Sequence, residues 1–228
     1  MINTYCLRNI MDTFLKQFKQ ILFTTMLLLF IASVIAHGQH SVPAIIKHPP
    51  ASRQLKAFYH LTAQANVTFT FPKGFKEIKA PDNEDFSFDY AIALPGKDFE
   101  IWFQVKSEKE NWASYVHAQN TPSSQLANPD SLYIGIGAAQ ASAFTGDQRY
   151  FVRNIPPDVL ARYNADAGKS YLLNLPDLAQ TKHYKYALLI TLQKNHTGTI
   201  LAVCFTDEKG PEFFKNINKA SNCIKFKP

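Results

Sequence analysis

The chain has 228 residues, enough for one domain whose hydrophobic core needs neither a metal nor many disulfides. Its 24 basic and 18 acidic residues give a formal net charge of +6 at pH 7. This mild positive charge argues against a nucleic-acid-binding protein, which would cluster Lys and Arg on one element, and favours weak attraction to anionic polymers.

The first predicted element is a signal peptide at residues 1–38. Residues 21–36 ("ILFTTMLLLFIASVIA") carry no charge, and Lys16 and Lys19 precede them, which is the layout of a cleavable secretion signal. The apolar stretch is shorter than the roughly 17 to 25 residues that a membrane anchor needs. We expect cleavage within this region, after Ala36 or after Gly38.

Export would place the mature chain in the periplasm or outside the cell. No Cys stands directly after the apolar stretch, where a bacterial lipid anchor would be attached, so we expect membrane contact only through the uncleaved signal segment. ATP and GTP are not routine ligands in that compartment. Removal of the signal leaves 21 basic and 17 acidic residues, a net charge of +4.

The next segment, residues 39–56, contains several prolines and no periodic pattern, and is predicted to be a flexible linker.

A single α+β domain is expected over 57–228. It begins with a short helical or irregular piece. "VTFTF", residues 67–71, then predicts a strand, because β-branched and aromatic residues alternate there and Pro72 and Gly74 follow as a turn.

The clearest alternation is "DFSFDYAIAL", residues 85–94, which predicts a strand with Phe86, Phe88, Tyr90 and Ile92 on one apolar face. The turn "PGKD" and the alternating "FEIWFQV" complete an antiparallel hairpin. Trp102 falls on the more polar face of the second strand. Its ring could stack on a ligand such as a sugar, or a helix could cover it.

Two helices are predicted after the hairpin. Trp112, Tyr115 and Val116 have the spacing of one helical face. Asn128 before Pro129 is typical of a helix start, and the helix that follows should end at Gly146. Residues 132–137 ("LYIGIG") would also fit a strand.

The most informative candidate site is "GDQRYFVRN". As a strand it would project Arg149, Phe151 and Arg153 to one side, so that two guanidinium groups flank an aromatic ring. This arrangement suits carboxylate, phosphate or sulfate groups. Arg162 and Lys169 could extend it. The alternative is that these are exposed side chains whose stems pack on their neighbours.

Gly168, Lys169 and Ser170 match the end of a phosphate-binding loop. Such a loop leaves a strand and opens a helix, so that backbone N–H groups point at the phosphates. Here Pro157, Asp158 and the apolar residues after them predict a helix of about ten residues that Gly168 ends, followed by a strand. The order is reversed, so no nucleotide site is expected.

The last third predicts a hairpin of two long apolar strands, "YKYALLITLQ" and "TILAVCFT", and a final helix that Gly210 and Pro211 open. The two cysteines of the mature chain are Cys204 and Cys223. They could form a disulfide in an oxidising compartment or remain as buried thiols, and the sequence supports both equally.

The order of elements resembles the PsbP-like superfamily, named for the extrinsic photosystem protein and shared with a Ran-binding nuclear import factor. The resemblance rests on "FTFPKGF", "YALLITL", "ILAVCFT", "FTDEKGPEFFKNI" and "CIKF", and covers roughly residues 67–226. It implies an antiparallel sheet sandwiched between helices, an α/β/α arrangement. It implies no active-site residue, since members have unrelated and mostly binding functions.

The sequence suggests no catalytic residue, metal site or cofactor. It contains no H-x-H, H-E-x-x-H, C-x-x-C or G-x-S-x-G pattern. The function that we predict is an exported, non-catalytic binding or accessory domain for another protein or an anionic envelope polymer. The alternative is a hydrolase without a recognisable motif, because catalytic groups can assemble from distant residues.

Overall fold

The structure, a computed structural model, describes residues 51–119, 126–146 and 150–228. The predicted signal peptide, most of the predicted linker and Arg149 lie outside the described residues. The described part belongs to one compact unit that starts at Pro49. Its first helix begins at Arg53, inside the segment predicted as a linker.

The described chain alternates short helices with antiparallel strands. The helices are α1 (Arg53–Gln64), α2 (Lys109–Gln119), α3 (Leu132–Thr145), α4 (Pro157–Arg162) and α5 (Pro211–Ala220), with 3-10 turns at Pro129–Ser131 and Ala179–Thr181. The strands are β1 (Val67–Phe69), β2 (Lys76–Ile78), β3 (Tyr90–Ala93), β4 (Phe99–Ser107), β5 (Phe151–Asn154), β6 (Ala167–Asn174), β7 (Tyr186–Lys194), β8 (Gly198–Thr206) and β9 (Ile224–Phe226).

Seven of these strands form one antiparallel sheet in the order β2-β3-β4-β8-β7-β6-β5, and β1 pairs with β9 in a separate two-stranded ribbon. The predicted hairpins β3–β4 and β7–β8 are both confirmed. β7 and β8 lie near the middle of the sheet, which explains why their sequences are almost continuously apolar.

Helices cover both faces of the sheet, which confirms the predicted α+β sandwich. On one face, Phe58 of α1 and Phe213 of α5 pack in a cluster with Phe103. On the other face, Phe144 of α3 packs in a cluster with Trp102. Because neighbouring residues of a strand point to opposite faces, Trp102 and Phe103 each belong to a different core. The helices of the described residues are too short or too polar to span a bilayer.

The prediction of one strand over residues 85–94 is wrong in its first half. β3 begins only at Tyr90, and Phe86 and Phe88 pack in the core on the opposite face from Tyr90. The Asp89 carboxylate accepts the backbone N–H of Val105 at 2.7 Å. A longer β3 would have needed this N–H of Val105 for its own hydrogen bond to β4. The chain therefore joins the sheet only at Tyr90.

The prediction that Gly168 ends a helix is also wrong. α4 ends at Arg162, and Asn164 follows with a positive φ of 49°. The N–H of Ala165 bonds to the carbonyl of Leu160, and that of Asn164 bonds to Ala161, the pair of bonds that ends a helix in a Schellman motif. Gly168 lies in β6 opposite Leu192. A glycine within a strand cannot open a phosphate-binding loop.

α3 starts and ends as its sequence predicts. The Asn128 side chain accepts the N–H of Asp130 and caps the 3-10 turn that leads into the helix. Gly146 ends the helix in a left-handed conformation with φ 69°. Residues 132–137 are therefore helical, and the alternative strand is excluded.

Candidate binding surface at the sheet edge

β5 is an edge strand, and all four of its residues are exposed. Phe151 is 52% and Val152 is 44% exposed, although both belong to residue types that usually lie inside a protein. Because neighbouring residues of a strand point to opposite faces, this edge offers one exposed apolar side chain on each face of the sheet. This surface contains two of the predicted site residues, Phe151 and Arg153.

Arg153 lies over the ring of Phe151. The guanidinium carbon is 4.6 Å from the ring centroid, within the distance of a cation–π interaction. The ring orients the guanidinium without using its N–H donors, so these remain able to bind a carboxylate, phosphate or sulfate in a forked geometry. The predicted second guanidinium, that of Arg149, lies outside the described residues.

An open depression of about 430 Å³ adjoins Phe151 and is lined by Tyr150, Phe151, Leu172, Asn174 and Lys209. The Lys209 ammonium donates to the Asn174 side chain at 2.7 Å and lies 4.2 Å from the ring centroid of Tyr186. These two contacts hold a second cation beside the edge strand. The depression therefore combines aromatic surface with a positioned positive charge.

Lys209 is a residue of this surface that the sequence does not predict. Its segment follows β8, far along the chain from β5. Asn174 at the end of β6 is opposite Tyr186 of β7, which is opposite Thr206 at the end of β8. The register of three strands therefore brings Lys209 to the surface, and no local sequence signal indicates it.

Two of the other predicted basic residues lie in different environments. The Lys169 ammonium donates to the Asn154 side chain at 2.9 Å, so this residue lies beside β5, but on the opposite face of the sheet from Phe151 and Arg153. Arg162 lies on α4, where its guanidinium is 4.0 Å from the carboxylate of Asp158. That pair is exposed and stabilises the helix by only a few tenths of a kcal/mol, on the order of 0.3 to 0.5.

Trp102 offers no face to a ligand, because it is 0% exposed. Its ring centroid is 4.2 Å from that of Phe205 and 6.4 Å from that of Phe144 in α3. The indole N–H donates to Glu100 at 2.9 Å. The structure therefore confirms the interpretation in which a helix covers the Trp102 ring.

Cys204 and Cys223 are both buried free thiols. Together with Tyr163 they line a small cavity of about 40 Å³ whose other walls are mostly aliphatic. Burial and the neighbouring Cys223 thiol raise the pKa of Cys204 above its ordinary range. Burial raises the pKa of the Cys223 thiol to about 12. Both thiols are therefore poor nucleophiles at neutral pH.

We expect neither thiol to react with a charged aromatic disulfide reagent at pH 8 in the folded protein, because only the exposed thiolate attacks such reagents. Both should react after unfolding in guanidinium, which the absorbance of the released thiolate measures. Rapid reaction in the folded state would contradict the burial of the cysteines. If the unfolded, unreduced protein shows no thiols, Cys204 and Cys223 are joined in a disulfide, the other of the two possibilities that the sequence leaves open.

Within the three described ranges, no three His, Cys, Asp or Glu side chains lie close enough to hold a metal ion. No protein-family model and no curated protein matches this chain.

Proposed function

We propose that this protein is an exported, non-catalytic binding domain, and that its β5 surface holds a partner that carries anionic groups. The observation that carries the proposal is the Arg153 guanidinium stacked on the exposed ring of Phe151. Lys169 and Lys209 add positive charge on either side of the strand. Export and membership of the PsbP-like superfamily rest on the sequence and belong to the same proposal.

The shapes of the two cavities favour binding over the alternative, a hydrolase. An active site usually combines an enclosed pocket with two or more converging titratable groups. Apart from Tyr163, the titratable groups that line the small cavity are the two thiols, whose pKa values are raised. The depression beside Phe151 is broad and open, as expected for a surface that contacts a large partner.

A charge-removal experiment tests the proposal. The double variant Arg153→Ala with Lys209→Ala should bind a sulfated polysaccharide matrix more weakly at low salt. Each exposed charge pair contributes on the order of 0.2 to 1 kcal/mol, so the loss of two pairs should raise the dissociation constant roughly twofold to thirtyfold. Salt-gradient elution and titration with the soluble polymer measure the change.

The matched control removes two positive charges elsewhere. Arg53→Ala with Lys56→Ala changes two exposed residues of α1, a helix that packs against β3 and β4 near the other end of the sheet order. This variant has the same net charge as the first one and should bind almost as the parent protein does. Equal losses in the two variants would mean that net charge alone drives retention. Unchanged retention of the β5 variant would overturn the proposal.

A further inference from the structure

The two edges of the seven-stranded sheet differ in how their backbone is covered. At the β2 edge, the Gln54 side chain of α1 donates to the carbonyl of Ile78 and accepts the N–H of Ala80, both at 2.9 Å. These bonds occupy backbone groups that could otherwise pair with another strand. Natural proteins cover sheet edges in this way because an uncovered edge is a template for strand addition.

The β5 edge has no such cover among the described residues, since β5 pairs with β6 alone. The N–H of Ile155 bonds to the carbonyl of Gly168, directly opposite it. In an antiparallel pair the bonded residues alternate, so Arg153 and Phe151 also direct their backbone groups to β6. The N–H and C=O groups of Val152 and Asn154 therefore point away from the sheet.

We infer that β5 accepts an extended, acidic segment of a partner polypeptide as an eighth strand of this sheet. The inference rests on the proposed function and specifies its anionic partner. A strand that pairs with Val152 and Asn154 gains main-chain hydrogen bonds, which supply affinity in this mode of recognition. Its side chains then lie beside those of β5, where opposite charges on neighbouring strands attract.

Positive charge is present on both faces of this edge. Arg153 shares one face with Phe151. Lys169 lies on the other face, since it is directly opposite Asn154 and donates to that side chain. A partner strand with carboxylates at successive positions, which point to alternate faces, would meet a cation on each face. The charge pattern therefore favours an acidic segment over a neutral or basic one.

A second copy of this chain brings like charges together when it pairs antiparallel in the register centred on Arg153. The register that pairs Val152 and Asn154 of one copy with Asn154 and Val152 of the other brings the two Arg153 residues directly opposite each other. Directly opposed residues that exchange no hydrogen bonds have Cα atoms about 4.5 Å apart, and like charges at that position destabilise the pairing.

Val152→Pro tests the inference. Proline removes the outward N–H of Val152 but none of the bonds to β6, and edge strands tolerate proline where the N–H faces solvent. Val152→Thr is the matched control, since threonine keeps the N–H and the β-branched shape. The probe is a seven-residue fluorescent peptide, capped at both ends, that carries Glu at successive central positions and Val or Thr on either side of them.

We expect the peptide to bind the parent protein and Val152→Thr with similar affinity, and Val152→Pro at least tenfold more weakly, by fluorescence anisotropy at low salt. A peptide with the same side chains but methylated backbone nitrogens should not bind the parent protein, a result that does not depend on how Val152→Pro folds. Equal binding of the methylated and unmethylated peptides would overturn strand addition.

The matrix experiment separates this inference from the proposed function. If Val152→Pro binds the peptide as the parent protein does, and the Arg153 and Lys209 variant still loses matrix retention, the anionic surface stands and strand addition fails. If size-exclusion chromatography shows a dimer that Val152→Pro converts to a monomer, a second copy occupies the edge and the inference is overturned.

Discussion

Replacing Trp102 with alanine should lower the free energy of unfolding by about 4 kcal/mol, the range for removing a large aromatic ring from a packed core. Trp102 is fully buried, and its ring lies 4.2 Å from Phe205 and 5.4 Å from Phe88, centroid to centroid. Urea unfolding followed by circular dichroism measures the change. The expected loss is a large share of the total stability of an ordinary domain, roughly 5 to 15 kcal/mol.

Two further variants make this prediction specific. Trp102→Phe keeps most of the ring and loses the hydrogen bond to Glu100, so we expect a loss of about 1 to 2 kcal/mol. Glu100 keeps its ion pair with Lys182 at 2.7 Å. Trp112→Ala removes a half-buried ring that stacks on His196 and should also cost less than Trp102→Ala. A Trp102→Ala protein as stable as the parent would contradict the buried position.

Gly168→Ala should destabilise the protein by about 2 kcal/mol, because the added methyl group has no space. A Cβ atom at Gly168 would lie 2.7 Å from the backbone oxygen of Thr191 and 2.9 Å from Cδ1 of Ile155. The Ile155 side chain can turn away, but the Thr191 carbonyl belongs to β7, the strand paired with β6. The strands must separate locally, which urea unfolding detects as a lower midpoint.

Gly135→Ala is the matched control with the opposite sign. Gly135 lies within α3, and a Cβ atom there would meet nothing within 4 Å. Alanine has a higher helix propensity than glycine by about 0.8 to 1 kcal/mol, so this variant should be more stable than the parent by up to that amount. A stable Gly168→Ala protein would contradict the close packing of β6 against β7.

The elements that the sequence predicts correctly are those whose signals are local. Asn128 and Pro129 precede α3, and Gly146 ends it, because each residue acts on the backbone next to it. The β7–β8 hairpin is evident because two long apolar runs flank a short polar turn. Phe151 and Arg153 share one face because side chains alternate along any strand.

The predictions of element boundaries fail where a residue distant in the chain forms a hydrogen bond with a backbone group, or where two local signals compete. Alternation continues through Phe86 and Phe88, but the Asp89 carboxylate accepts the N–H of Val105 on the neighbouring strand, so β3 starts only at Tyr90. Near α4, Asn164 stops the helix before Gly168. Asparagine adopts the left-handed conformation less readily than glycine, so the local sequence favours Gly168 as the helix end.

By itself the sequence determined the α+β class, the paired central strands and the residues that could form a cationic, aromatic patch, because periodicity and capping are properties of neighbouring residues. Only the tertiary structure decided that β5 is an edge strand left uncovered by the described residues, that Gln54 covers the β2 edge, and that Lys209 joins Phe151 at one depression. Strand order and register set these relations, and they depend on contacts between residues far apart in the chain.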